Sequence, residues 1–466
     1  MTSIKFKIIS EGLAGAKAVF KFLQSFWEAK SANRDVALQT TIAGEAIPID
    51  IDIKRSRGAR VVDAFSGKPY VNFHGGFGSD PLGFNHPSYT REFKEAAGEV
   101  GVNKMAHADY RSLESNASAR VIFEEYAAPN GFKSMYFTDG GSMANAEAVW
   151  AAIYTKNMQN LKRGKGVTAD AVMALEGAFH GRNGTGASLT HGNAKIAGHP
   201  KITSFSHVKR PLKSSESIRE SLRQIEDYCI KNPDKLAAFI VEDGIQCEAG
   251  DIHIAKAFYE GLRKLANQYG FFVIYDAVQT GFFSTGEDFA YKTIGAPAPD
   301  IITGSKKSRL GYVFAGERMM SIPGNAFVAP GVIDSTWFGH SVDYLMMASS
   351  LLIIKAENLH ENAKVQGKNI LAELKKLQAE FPEFIKDARG LGLTLTLEFH
   401  MPEACKHFID QTFTEGVIVL GSRNPNVVRL RPNLAIREDE IKEGIDGLRR
   451  ALQQMKMDGV KIQAKL

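Results

Sequence analysis

The sequence predicts an α/β protein, with a large domain on a mostly parallel sheet and a smaller α+β domain after it. Three observations carry this. Short apolar runs alternate with helical stripes through the middle of the chain. One run, Phe271 to Tyr275, is apolar at every position, as in strands buried on both faces of a parallel sheet. After about residue 340 the strand–helix–strand rhythm stops.

Taken in order, the elements read as follows. Phe20, Leu23, Phe26 and Trp27 recur at helical spacing, so residues 1–35 are expected to be a helical N-terminal extension that packs on its own protein or on a partner subunit. Lys5, Lys7, Glu11, Lys17 and Lys21 interrupt every apolar stretch there, so no signal peptide is expected in it. Residues 36–100 are expected to pack with the small domain, 101–340 to form the large domain and 341–466 the small one. Ser134–Phe137 reads as a strand, followed by a Gly140–Gly141 turn and a helix from about Ser142. Ala171–Leu175 and Leu236–Val241 are further strands. Phe258, Leu262, Leu265, Ala266 and Tyr269 mark one helix face, and Gly270 is its stop signal. Later, Ser341–Leu359 reads as one long helix. Leu393, Leu395, Leu397 and Phe399 alternate with Thr394, Thr396 and Glu398, which predicts a half-buried strand. Ile441, Ile445, Leu448, Leu452 and Met455 form a last helical stripe.

Composition narrows the function. The 466 residues are 44% hydrophobic and 23% charged, ordinary for a globular chain of two or three packed units. The net charge of +5 is mild and no block of like charges occurs, so no nucleic-acid partner is expected. Cys229, Cys247 and Cys405 are widely spaced, without CxxC or zinc spacing. Neither disulfide nor metal is expected, and the cytoplasm is the expected compartment. No apolar run can span a bilayer. Gly181-Arg-Asn-Gly-Thr-Gly186 lacks dinucleotide spacing, Gly67-Lys68 lacks the rest of a P-loop, and HExxH and GxSxG are absent.

Ligands of open parallel sheets bind at the carboxyl ends of the strands. Asp276 directly follows the 271–275 run, at a rim where it can stay ionised. Lys306 and Lys307 follow Asp300-Ile-Ile-Thr303. Asp139-Gly140-Gly141-Ser142 follows 134–137 and opens a helix, whose N-terminal N–H groups suit a phosphate. Singly, these read more simply as caps, turns and solvated surface. Jointly, an anion cradle, an acid and a lysine at neighbouring strand ends are what pyridoxal 5′-phosphate (PLP) needs.

These residues resemble the class III aminotransferases, enzymes of PLP fold-type I, and most of all their L-lysine 6-aminotransferase branch. The likeness runs from about residue 50 to 455. It implies that Lys306, not Lys307, carries the cofactor as a Schiff base, with Asp276 on the pyridine nitrogen. It places Gly141 and Ser142 on the phosphate, Phe179 and Val278 against the ring, Gln279 on the phenolic oxygen and His180 beside the cofactor. In Asp334-Ser-Thr-Trp-Phe-Gly339 it assigns Thr336 to the PLP of a partner subunit, hence a homodimer. Arg182 in Gly177-Ala-Phe-His-Gly-Arg182 would grip a substrate carboxylate, and Phe77 in Phe73-His-Gly-Gly-Phe-Gly78 would line the entry. Glu248 in Gln246-Cys-Glu-Ala-Gly250 would pair with Arg429, shielding it until a 2-oxo acid displaces the glutamate. A structural ion pair is the alternative for these two.

The implied reaction moves the terminal amine of L-lysine, or a similar donor, to 2-oxoglutarate. Ornithine, 4-aminobutyrate or diamine donors, an aminomutase, and a PLP-fold or arginine-based binding protein without turnover are the rival readings. The chain departs from the family pattern at Asp243-Gly244-Ile245-Gln246 (usually Glu-Pro-Ile-Gln), Cys247, Ala277 and Asn433. These bear on substrate choice rather than on the cofactor.

Overall fold

The computed structural model describes residues 47–107, 109–193, 196–337 and 339–459. The expected helix in 1–35 lies outside them. The described residues 47–56 and 61–69 fall in one compact unit. In it the Asp52 carboxylate accepts from the N–H groups of Lys54 and Arg55. The second unit, residues 57–60 and 70 onward, carries all that follows.

Its main sheet has seven strands: β1 (Phe132–Thr138), β2 (Ala171–Leu175), β3 (Phe205–Val208), β4 (Leu236–Glu242), β5 (Phe272–Asp276), β6 (Ile301–Gly304) and β7 (Gly311–Gly316). The order is β1-β7-β6-β5-β4-β2-β3. Only β7 runs against its neighbours. Helices α1 (Gly141–Lys162), α2 (Ser215–Lys231) and α3 (Lys256–Tyr269) lie between the strands in sequence. Alternate residues of β4 enter two different cores. Ala238 and Ile240 join Ala144 and Val149 of α1, whereas Phe239 and Val241 join Phe258 and Leu262 of α3. The sheet is thus covered on both faces, which is why β4 and β5 are buried at every position. Fully burying a side chain such as Phe239 contributes about 1.5–3 kcal/mol. Gly270 closes α3 at φ +73°, the left-handed cap conformation that glycine takes without strain.

Beyond residue 340, α4 (Ser341–Ala356) and α5 (Leu359–Glu380) precede a four-stranded antiparallel sheet. Its strands are β8 (Ile385–Leu391), β9 (Thr394–Phe399), β10 (Leu420–Gly421) and β11 (Val427–Leu430), in the order β8-β9-β11-β10. Helices α6 (Pro402–Thr414) and α7 (Glu438–Met457) complete this part.

Two expectations need correction. The 341–359 helix is broken, because Asn358 sits at φ +52° between α4 and α5. The strand at 393–399 is buried on both faces, not half-buried. Thr394 and Thr396 are as buried as the leucines, and the Thr396 hydroxyl donates to the Asp251 carboxylate. Threonine reads as polar, but a single hydroxyl is a small polar group to bury; that of Thr394 enters the core with no hydrogen-bond partner among the described residues.

Candidate active site

Glu242, Asp276 and Thr303 stand level at the ends of β4, β5 and β6. Glu242 and Asp276 line a cavity of about 540 Å³, a volume suited to a cofactor with a small substrate.

Asp276 is not at a solvated rim as expected; it is 6% exposed. Hydrogen bonds, rather than water, surround its carboxylate. Oδ2 accepts from Asn145 Nδ2 at 2.7 Å and from His180 Nδ1 at 2.8 Å, and Oδ1 accepts from the Val278 N–H at 3.0 Å. All three donors are fixed by the fold, so the carboxylate is held in one orientation. Asn145 is held by Thr303, whose hydroxyl donates to its Oδ1 at 2.6 Å. His180 also faces Glu242, with Nε2 3.9 Å from Oε2. Burial works against a charged imidazole, but the Glu242 charge and the Asp276 hydrogen bond raise its pKa.

The two lysines part company. Lys306 lines the cavity, and its Nζ lies 5.6 Å from the centre of the Phe77 ring. Burial and the Arg429 charge bring its pKa down to about 8. A large neutral fraction is then present near pH 8, as an amine nucleophile requires. Lys307 is 3% exposed and donates to the carbonyls of Pro432 at 3.0 Å and Asp80 at 3.3 Å. It is a strut outside the cavity.

The residues present fit PLP. Helix α1 opens at Gly141 with no side chain capping it, leaving its first N–H groups for an anion. Ser142 Oγ is buried there without a hydrogen-bond partner. A Cβ at Gly181 would come 2.1 Å from that oxygen, and one at Gly141 would come 2.7 Å from Val278. Both glycines keep the cradle open. Phe179, Val278 and Gln279 line the same cavity.

Opposite stands a polar cluster. Arg429 Nη1 donates to Glu248 Oε1 at 2.8 Å, and Gln279 Nε2 donates to the same oxygen at 3.0 Å. Arg429 is 1% exposed and also donates twice to the Gly421 carbonyl. Burial alone would raise the Glu248 carboxyl, but the Arg429 charge and hydrogen bond hold it at about 2. Arg182 lines the cavity with its guanidinium 5.9 Å from the Phe179 ring centre. It has no ion-pair or hydrogen-bond partner among the described residues. Phe77 is 49% exposed at φ +57°. Thr336 is exposed and does not line the cavity of its own chain.

Three side chains escaped the sequence reading. Asn145 is a polar residue among alanines four positions after Gly141, a spacing that returns to the same helix face. Glu242 ends a strand in register with Asp276. His74 follows Phe73, and burial with the Arg429 and Lys306 charges lowers its pKa to about 4, so its neutral Nδ1 accepts from the Phe77 N–H. No helix among the described residues is long and apolar enough to cross a membrane.

Comparison with known proteins gives the same picture. The family model "Aminotransferase class-III" matches residues 41–452. The L-lysine-epsilon aminotransferase of Mycobacterium tuberculosis is 31% identical over 423 residues, covering 88% of this chain and 92% of the relative. The mitochondrial 4-aminobutyrate aminotransferase of Homo sapiens is 28% identical over 425 residues, covering 84% and 83%. The solved lysine aminotransferase from M. tuberculosis superposes with a TM-score of 0.86 at 31% identity, covering 90% of this chain and 98% of that one. Enzymes of this kind are PLP-dependent transaminases. The chain belongs to the class III aminotransferases.

Proposed function

We propose that the protein transfers the terminal amino group of L-lysine to 2-oxoglutarate, giving glutamate and an aldehyde that closes onto its own α-amine as a six-membered imine. The observation that carries this is the Glu248–Arg429 pair set in the same site as Lys306 and Arg182. A donor whose carboxylate is remote from the reacting amine and an acceptor whose carboxylate is adjacent must share one pocket. Arg182, without an ion-pair or hydrogen-bond partner among the described residues, serves the remote carboxylate. Arg429 serves the adjacent one only after Glu248 leaves it.

PLP, when bound, supplies an aldehyde carbon and a ring that takes up the electron pair of a broken C–H bond. The chain's residues do the rest. Gly141 and Ser142 bind the phosphate at the start of α1. Phe179 and Val278 fix the ring plane, and Gln279 faces the ring oxygen. Asp276, oriented by Asn145 and His180, keeps a proton on the ring nitrogen. The Lys306 amine would take a proton from the donor's carbon and deliver it to the cofactor's aldehyde carbon, two atoms away, a step of general acid–base type. Thr336 reaches the cofactor of a second copy, so the working unit is a homodimer, in the cytoplasm. Phe77 stands at the entry over Lys306.

The test is the visible spectrum of the PLP-loaded protein with L-lysine, then 2-oxoglutarate. The band bleaches and returns, and Lys306→Ala slows bleaching about 10⁴-fold. A band that ignores lysine but bleaches with 4-aminobutyrate or ornithine replaces the donor. Unchanged turnover in Lys306→Ala overturns the mechanism.

A further inference from the structure

This inference rests on reading Glu248 and Arg429 as an exchangeable pair. A carboxylate that leaves a buried guanidinium needs another cation, because an unpaired ion in the interior is strongly disfavoured. Arg423 supplies one beside the same segment. Its Nη2 donates to the Gly177 carbonyl at 2.6 Å. Gly177 packs against the residues that flank Glu248: a Cβ there would lie 3.3 Å from Gln246 Oε1 and 3.4 Å from Ala249 Cβ. The other nitrogen, Arg423 Nη1, is buried and has no hydrogen-bond partner. Among the described residues Arg423 has no carboxylate at ion-pair distance.

Arg210 adds to the imbalance. Its Nη1 donates to Gln246 Oε1 at 3.3 Å, and its Nε is likewise buried and unpartnered. Two half-buried guanidiniums thus adjoin the Glu248 segment without an acid of their own among the described residues. Burial depresses the Arg423 pKa, and the Glu248 charge is the strongest influence opposing this.

We propose that Arg423 receives the Glu248 carboxylate when the carboxylate of a 2-oxo acid occupies Arg429. Arg423 is then a positioning residue that tunes acceptor binding through Glu248, without touching substrate. Glu248 trades one guanidinium for another, and Arg429 is released without leaving a buried charge unpaired. A simpler role, fixing the Gly177 carbonyl and with it the turn that carries Phe179, would affect donor and acceptor alike.

The experiment measures the two half-reactions separately on the full-length, PLP-loaded enzyme: L-lysine bleaching the cofactor, and 2-oxoglutarate restoring it from its amino form. Arg423→Met should raise the KM for 2-oxoglutarate at least about tenfold, with kcat/KM for lysine changed less than about twofold. Arg423→Lys, which keeps the charge, should recover most of the loss. If Arg423→Met does not fold, Arg423→Gln carries the same test. A parallel fall in both half-reactions would assign Arg423 to the turn alone and overturn the proposal, as would no change in either. Glu248→Gln separates the two ideas. If it alters the lysine-to-oxo-acid balance while Arg423→Met is silent, only the receiver role falls. If it alters neither half-reaction, the exchange reading itself falls.

Discussion

The two walls of the cavity are built on different terms. On the Asp276 wall, both carboxylate oxygens are tied to Asn145, His180 and the Val278 N–H, and Asn145 is tied in turn to Thr303. On the Glu248 wall, one carboxylate oxygen is shared by Arg429 and Gln279, with two incompletely bonded arginines close by. A carboxylate with both oxygens tied is closed to rearrangement, even though His180 Nε2 and Glu242 Oε2 beside it are buried without hydrogen-bond partners among the described residues. A network with spare donors admits a second. Under the proposed function, the closed wall would set the chemistry and the open wall would set which carboxylate is accepted.

The contrast can be broken most severely at Asp276. Asp276→Ala leaves Asn145 and His180 without their acceptor and, under the proposed function, would leave the ring nitrogen without its partner. Lysine bleaching should slow by about 100-fold or more, with weaker PLP retention on dialysis. A variant that keeps both rate and cofactor would show that the closed wall is only scaffolding. Glu248→Gln is milder. It leaves Arg429 permanently available, so the KM for lysine should rise about tenfold while that for 2-oxoglutarate falls or holds. Initial-rate kinetics with both substrates varied decide this. Equal change in the two would make the Glu248 wall as rigid as the other.

The smallest effect concerns Lys307. Burial lowers its pKa from an ordinary 10.5 to about 8 in the folded chain. Between pH 8 and 10.5 the unfolded chain binds more protons at this site, so the site's contribution to stability rises with pH across that window and falls as pH drops through 8. The difference in urea midpoint between wild type and Lys307→Met, taken on PLP-free protein, should shift toward wild type from pH 8 to 10.5. A flat difference would mean that Lys307 keeps an unperturbed amine.

What the sequence disclosed follows from period and position. β4 and β5 are unbroken apolar runs, and Lys306 and Asp276 stand at ends of neighbouring strands, where parallel sheets present their ligands. The burial of Asp276 was not legible, because one of its buried hydrogen-bond partners is Asn145, over a hundred residues away in sequence. Asn358 gave no sign that it would break a helix, since asparagine takes left-handed backbone only where the fold demands it. Arg423 carried no signal either. It lies between β10 and β11 and meets Gly177 only once two parts of the chain, far apart in sequence, have come together.

The Lys307 strut has a consequence for how the protein is made. One amine joins the carbonyls of Asp80 and Pro432, residues separated from it by 227 and 125 positions. Contacts of such long sequence separation form slowly, because chain closure precedes any gain. The neighbour of Lys306 therefore locks only after both outer parts of the chain have docked.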